Sequence, residues 1–219
     1  MSGLKAEIEG ASIVLVGQFN PAIFQPAWLA AQKLIRQEEA EAATIEIIHP
    51  SVVRFATEWF TLEVSQGRFA VESTNPACAE SLRDLVSGIF TILEHTPFSQ
   101  AGVNSSMHFA LSSADRWHAL GHILAPKEPW AGVLGAGGLR SLTLAGKRDE
   151  AASKIHVTVE PSLRVLPHGV YINVNEEFEC RPGPEAPRQL MASLLGEWSA
   201  ARAYATRVAE HLLGQVEGK

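Results

Sequence analysis

A strand pattern, a helix pattern and then several alternating strand patterns occur in the same order twice along the chain. The first series starts at the apolar run Ser12–Gly17, and the second starts at "AGVNSSMHFAL", residues 101–111. Apolar alternation predicts half-buried strands, whereas apolar residues three and four positions apart predict amphipathic helices. Each half therefore reads β-α-β-β-β-α, and we predict an internal duplication into residues 1–97 and 98–219.

The first helix of each half supports this duplication. When Trp28 is placed on Trp117, Leu34-Ile35 falls on Ile123-Leu124 without a gap. The two helices would thus bury similar faces. We expect an α+β fold in which both halves form one compact unit, with a mainly antiparallel curved sheet and helices on one face. Its outline would be saddle-like or that of two ferredoxin-like halves.

Charge and cysteine content narrow the possible partners and location. The formal net charge is −6, and the chain has no run of five or more Lys or Arg residues, so nucleic acid is not an expected partner. Acidic residues occur where a secretory signal would be apolar, and no apolar stretch approaches the length of a membrane span. Cys78 and Cys180 lie far apart and predict no disulfide framework. We therefore expect a cytoplasmic protein with no membrane association.

Two strand patterns of the second half predict a polar open face on the sheet. In "KIHVTVE" and "GVYINVNEE", apolar residues alternate with polar ones, so each strand would bury one side and expose the other. The exposed set is predicted to bind a ligand if the strands pair; an ordinary solvated face is the alternative. Its members are His156, Thr158, Glu160, Tyr171, Asn173 and Asn175.

A histidine pair on a predicted helix is the candidate metal site. His118 and His122 lie four residues apart in "DRWHALGHIL", and this spacing places both imidazoles on one side of a helix. A zinc site needs three or four ligands, and the glutamate of the H-E-x-x-H motif is absent. Either His95, His108 or Glu160 would have to join through tertiary folding. An ordinary amphipathic helix is the alternative.

Other chemical signatures are weak. The glycine-rich "LGAGGLR", residues 134–140, lacks the spacing and the strand-to-helix context of a dinucleotide fingerprint, so it predicts a flexible turn. There is no nucleophile elbow and no phosphate-binding loop motif, and Cys78 lies in an apolar helical stripe. We therefore assign no catalytic residue and no cofactor.

Four segments carry a resemblance to a known group of proteins. "GQFNPAIFQPAW", "LEHTPFSQAGVN", "APKEPW" and "VEPSLR" together resemble a sporadically distributed family of uncharacterised bacterial proteins. The resemblance spans most of the chain and implies a bacterial, cytosolic origin. It supplies no activity and no site residue, because no activity is assigned to that family.

Two main classes of function follow from the sequence, and a nucleic-acid-binding saddle is a third, less favoured interpretation. The first is a non-enzymatic binding or adaptor module that recognises a protein, a peptide or a small polar ligand through the open face. Such a module would bind a protein partner or self-associate as a homodimer. The second is a metal-dependent hydrolase that uses His118 and His122.

Overall fold

The computed structural model describes residues 5–148 and 153–217, and in them the chain forms one nine-stranded sheet with five α-helices. The outer ends of the two predicted halves, Met1 and Lys219, lie outside the described residues. The strands are β1 Ile8–Gly17, β2 Thr44–His49, β3 Val52–Ala56, β4 Thr61–Ser65, β5 Arg68–Ser73, β6 Phe98–Ala110, β7 Leu142–Lys147, β8 Lys154–Pro161 and β9 Gly169–Glu179. The helices are α1 Pro26–Ala31, α2 Gln37–Glu41, α3 Ala79–Ile92, α4 Ala114–Leu124 and α5 Ala186–Glu217.

The strand order is β2-β3-β4-β5-β1-β6-β9-β8-β7, and every neighbouring pair is antiparallel. β1 and β6 therefore lie at the centre, where Ser12 stands opposite Asn104. β2 and β7 form the two edges, so the sheet is open and does not close on itself. The predicted α+β class with an antiparallel sheet is confirmed, whereas the predicted duplication stays a prediction.

One face of this sheet is covered by the helices and holds the core. Inward residues of β1 and β5, such as Ile13 and Phe69, are completely buried against α3 residues such as Leu82. In the second half, inward residues of β8 and β9 pack with Leu120 of α4 and with the C-terminal part of α5. The opposite face is open. This arrangement follows from period-two alternation on the strands and 3.6-residue periodicity on the helices.

Helix starts follow local sequence signals. The Asn75 side chain accepts a hydrogen bond from the backbone N–H of Ala77, and the Ser113 side chain accepts one from Arg116. These caps satisfy backbone donors that have no partner within the helix. The first turn after Asn75, Pro76–Cys78, is a 3-10 helix, and α3 follows at Ala79.

The first half differs from the predicted β-α-β-β-β-α order. Its helical region consists of two short helices, and the run "ATIEIIHPSVVRF" forms two strands, β2 and β3, rather than one. Pro50 and Ser51 form a turn between them. Proline has no backbone N–H to donate to a strand ladder and favours a turn, so the extended run folds back on itself. The order in the second half agrees with the prediction.

A carboxylate is buried under α5. Glu176 of β9 points to the helix-covered face and is only 2% exposed. Its Oε1 accepts hydrogen bonds from Arg148 Nη2 at 2.7 Å and from Ser153 Oγ at 2.6 Å. Arg148 also pairs with Glu197 of α5. Burial lowers the pKa of Arg148, but its hydrogen bonds to Glu197 and Glu176 outweigh that effect and raise the pKa above the usual value. The network therefore fastens the end of β7 beneath α5.

Removing Arg148 should destabilise the fold, because it leaves a buried carboxylate without its cation. We expect Arg148→Met to lower the free energy of unfolding by about 3–5 kcal/mol, measured by urea denaturation at neutral pH. Adding Glu176→Leu should restore most of the loss, because an apolar residue needs no counter-ion. Lys154→Met, at an exposed ion pair with Glu179, is the control and should change little. An equally small effect of Arg148→Met would contradict a structural role for this pair.

None of the helices in the described part of the chain combines the length and the apolar character needed to cross a membrane.

Candidate functional site

The six residues predicted to share the open face are brought together on two paired strands. His156 stands opposite Asn175, Thr158 opposite Asn173, and Glu160 opposite Tyr171. The alternate residues Ile155 and Ile172 are buried on the other side. The structure thus supports the placement of this polar set, and its role in binding a ligand stays a prediction.

Most of these polar side chains bond to neighbours on the same face. Asn175 Nδ2 donates to Asn104 Oδ1 of β6 at 3.0 Å, and His156 Nδ1 lies 3.4 Å from Asn175 Oδ1. Thr158 and Thr143 of β7 share a hydrogen bond of 3.0 Å between their hydroxyls. His156, Thr158 and Asn175 are therefore engaged in hydrogen bonds within the face itself.

His108 is a buried histidine on the open side of β6 that the sequence did not single out as a site of its own. It stands opposite Tyr171, and their ring centroids are 4.8 Å apart. Its Nδ1 lies 2.8 Å from Ser162 Oγ. That oxygen already accepts hydrogen bonds from the backbone N–H groups of Arg164 and Val165, at 3.1 and 2.9 Å. The hydroxyl hydrogen must then point to Nδ1, which identifies His108 as a neutral acceptor.

This Ser162–His108 pair anchors a loop and is not a nucleophile and its base. The Ser162 side chain is buried, and its Oγ holds the loop of residues 162–165 in place by accepting hydrogen bonds from two backbone N–H groups. A serine nucleophile would have to be accessible to substrate and close to donors for the substrate oxygen. Burial, and then the charge of Arg164, lower the pKa of His108 below its usual value. Protonation of His108 would break the Ser162 hydrogen bond.

The buried His108 should make stability depend on pH. Its pKa is lower in the folded protein than in the unfolded chain, so the unfolded chain binds more protons between the two values. The stabilising contribution is complete above roughly pH 6.5 and falls as the pH drops toward the lowered value. We expect the loss of unfolding free energy between about pH 7.5 and about pH 5 to be smaller in His108→Gln than in the parent. Equal losses in urea denaturation would contradict this assignment.

The two histidines of the pair predicted on α4 lie in different surroundings. His118 lines a cavity, whereas His122 Nε2 lies 3.3 Å from Glu128 Oε1 outside it. Within residues 5–148 and 153–217, no group of three His, Cys, Asp or Glu side chains could hold a metal ion. The four-residue spacing puts both side chains on one side of α4, but among the described residues no third side chain joins the two imidazoles in a metal-binding group.

The cavity itself lies between α4, the glycine-rich segment and the end of β8. Its volume is about 230 Å³. Its walls are mostly apolar, and three lining residues, His118, Lys127 and Glu160, have titratable side chains. The apolar walls are Trp117, Leu120, Gly121, Ala136, Gly137, Gly138, Leu139, Val159, Pro161 and Val170.

Several contacts hold the cavity walls in place. Trp117 Nε1 donates to the carbonyl oxygen of Gly169 at 3.0 Å, which fixes the indole against the start of β9. Ser141 Oγ donates to Glu160 Oε1 at 2.8 Å. The charge of Glu160 also reaches Tyr171, whose pKa is raised first by burial and then by Glu160 and Glu72. Among the residues described by the structure, Lys127 has no carboxylate within ion-pair distance.

The glycine-rich segment, residues 134–140, lies outside any helix or strand, as expected of a turn, and it also forms one side of this cavity. Sequence reasoning named His118 and Glu160 as possible partners but placed them at a metal site. It missed Lys127 and Leu139, because residues that are distant in sequence line a cavity only after the chain has folded. The apolar spacing of Trp117 and Leu120 was the one available signal, and it marks the buried side of α4.

Comparison with known proteins shows no family for this chain. No protein-family model matches it, and no curated protein matches it. One solved structure that is similar to it is a rolling circle replication initiator protein from Geobacillus stearothermophilus. The two share 10% sequence identity with a TM-score of 0.31, and the match covers 90% of this chain and 83% of the other. At this score, the likeness does not carry the neighbour's role over to this chain.

The function predicted from the sequence finds no support in this comparison. A non-enzymatic binding or adaptor module acting through the open face was expected, and the similar structure is a replication initiator protein. Polar side chains of the open face instead bond within the face, Asn175 to Asn104 and Thr158 to Thr143. The prediction of an adaptor, with the metal-dependent hydrolase as its alternative, is therefore withdrawn.

Proposed function

We propose that this protein binds a small molecule with an apolar body and two opposite charges in the cavity between α4, the glycine-rich segment and the end of β8. The observation that carries the proposal is the lining, in which apolar walls are combined with Lys127 and Glu160. Ligand pockets typically combine apolar walls with a few polar groups that fix the orientation of the ligand.

The size of the cavity limits the ligand. Typical ligand pockets have volumes of roughly 300–1,000 Å³, and this one has about 230 Å³. The occupant is therefore a small molecule held inside the fold, and not a protein or a peptide laid across the sheet. The indole of Trp117 supplies a flat apolar wall, which suits an aromatic or branched aliphatic body.

The charges of the lining define the polar groups of the ligand. Lys127 and Glu160 line the same space, and within the described residues they form no ion pair with each other. A ligand that carries both an acidic and a basic group complements them, with its carboxylate toward Lys127 and its ammonium toward Glu160. Both contacts would gain strength from the apolar surroundings. Hydrophobic amino acids have this chemistry.

Three probes that share one aromatic body test the charge requirement. Phenylalanine has both charges, 3-phenylpropionate keeps the acid and phenethylamine keeps the base. We expect phenylalanine to bind most tightly in ligand-observed NMR titrations, and Lys127→Gln to weaken phenylalanine and 3-phenylpropionate by roughly 5–10-fold. Phenethylamine should be affected little by this substitution. Absence of binding by all three probes would contradict the proposal.

A cavity-filling substitution tests the location. A Cβ atom built on Gly121 would lie 3.7 Å from Leu139 Cβ, which is an ordinary contact, so a side chain fits there and enters the cavity. Gly121→Leu should weaken phenylalanine binding at least ~10-fold. Gly196→Leu is the matched control, because Gly196 is also helical and has no atom near its Cβ position. Equal binding by both variants would place the probe elsewhere.

Two finer features of the fold and its setting are also part of this proposal. The internal duplication is supported by the strand order, in which β1 and β6 are central and each is followed by a helix and then by strands that return to its outer side. An experimental structure in which residues 8–92 fail to superpose on residues 98–217 would contradict it. A cytoplasmic location is supported by two cysteines without a disulfide, and fractionation of the native cell would test it.

A further inference from the structure

The first edge strand of the sheet has an open hydrogen-bonding side. β2 pairs with β3 only, and no other strand of the described residues lies beside it. All six of its residues are exposed. An edge strand of this kind presents unpaired backbone N–H and C=O groups that can accept another strand.

The side chains of β2 extend both faces of the sheet to its edge, past the part that the helices cover. Ile45 pairs with Phe55 and Ile48 pairs with Val53, and both partners are completely buried on the helix-covered side. Ile45 and Ile48 therefore extend the apolar layer, yet they are 54% and 46% exposed. On the open side, Ile47 pairs with Arg54.

The two edge strands of the sheet differ in whether they carry residues that oppose pairing with another strand. β7 ends in Gly146 and Lys147, and lysine and glycine on an edge oppose the addition of a strand. β2, with the sequence TIEIIH, contains no lysine, glycine or proline. Its one acidic residue, Glu46, is neutralised within its own chain, because its Oε2 lies 2.8 Å from Arg54 Nε.

We propose that β2 pairs antiparallel with β2 of a second copy of this chain, with Ile45 of one copy opposite Ile48 of the other. In this register, Ile45 and Ile48 of the helix-covered side form two equivalent contacts with the second copy, which are related by the two-fold axis. Thr44 then stands opposite His49, and Glu46 opposite Ile47, all on the open side. Residues opposite each other in a ladder share a face, so a shift by one residue, which would oppose Ile48 to Thr44 or to Glu46 on the open side, is excluded. The exposed apolar edge is thereby covered by its own copy.

The oligomeric state tests this pairing. Light scattering should give twice the 23.7 kDa mass of one chain. Ile48→Lys should halve this mass, because it places a lysine opposite an apolar residue at the new contact. Leu144→Lys on β7 is the matched control, since Leu144 is 60% exposed on the other edge, and it should stay dimeric. Unchanged circular dichroism would show that both variants fold. A monomeric parent, or a dimer lost only in Leu144→Lys, would overturn the proposal.

A crosslink tests the register. We would place Ile45→Cys and Ile48→Cys in separate chains, each with Cys78 and Cys180 replaced by serine. Opposite residues of a ladder have Cβ atoms about 4.5–5.5 Å apart, close enough for a disulfide after a small shift. An equimolar mixture should form a crosslinked dimer on mild oxidation, whereas neither chain alone should do so. Crosslinking of one variant with itself, or no crosslink in the mixture, would overturn this register.

Discussion

The antiparallel pairing of β1 with β6 is the contact on which the rest of this structure depends. It joins Ile8–Gly17 to the long strand Phe98–Ala110 through ten paired positions and unites two sets of strands in one sheet. Residues that stand opposite each other on paired strands point to the same face of the sheet. The β1–β6 register therefore determines which face is apolar in the strands on either side of the centre. A slip of one residue would turn Ile13 and Leu15 to the open face.

The extent to which the sequence predicts this fold varies with the range of the interaction. The final helix spans Ala186–Glu217 and can be predicted from the sequence, because its apolar residues keep helical spacing throughout. The polar faces of β8 and β9 were also read correctly, since alternation is a local property. In contrast, β2 and β3 were merged, because their extended pattern continues across a turn that only Pro50 marks.

The candidate site could be predicted only in part, for a physical reason. Trp117 and Leu120 reveal the buried side of α4, but the cavity also needs Lys127, Leu139 and Val159, which the fold brings from other elements. The histidine spacing in α4 is compatible with a metal site, and only tertiary structure shows that the two imidazoles face different surroundings. His108 is a similar case: its partner Ser162 lies 54 positions away, and no local pattern connects them.

α5 shows why the two halves of the sequence share one core. Its N-terminal part places Leu190, Leu194 and Trp198 in the apolar cluster that contains β1, β5 and α3, and Trp198 Nε1 donates to Glu80 Oε1 of α3 at 3.0 Å. Its C-terminal part packs with the inward residues of β8 and β9. A chain ending at residue 97 would therefore expose the apolar surface that α5 covers, as well as the free edge of β1. Local patterns can repeat in each half, but the helix that completes the core of the first half is encoded in the second.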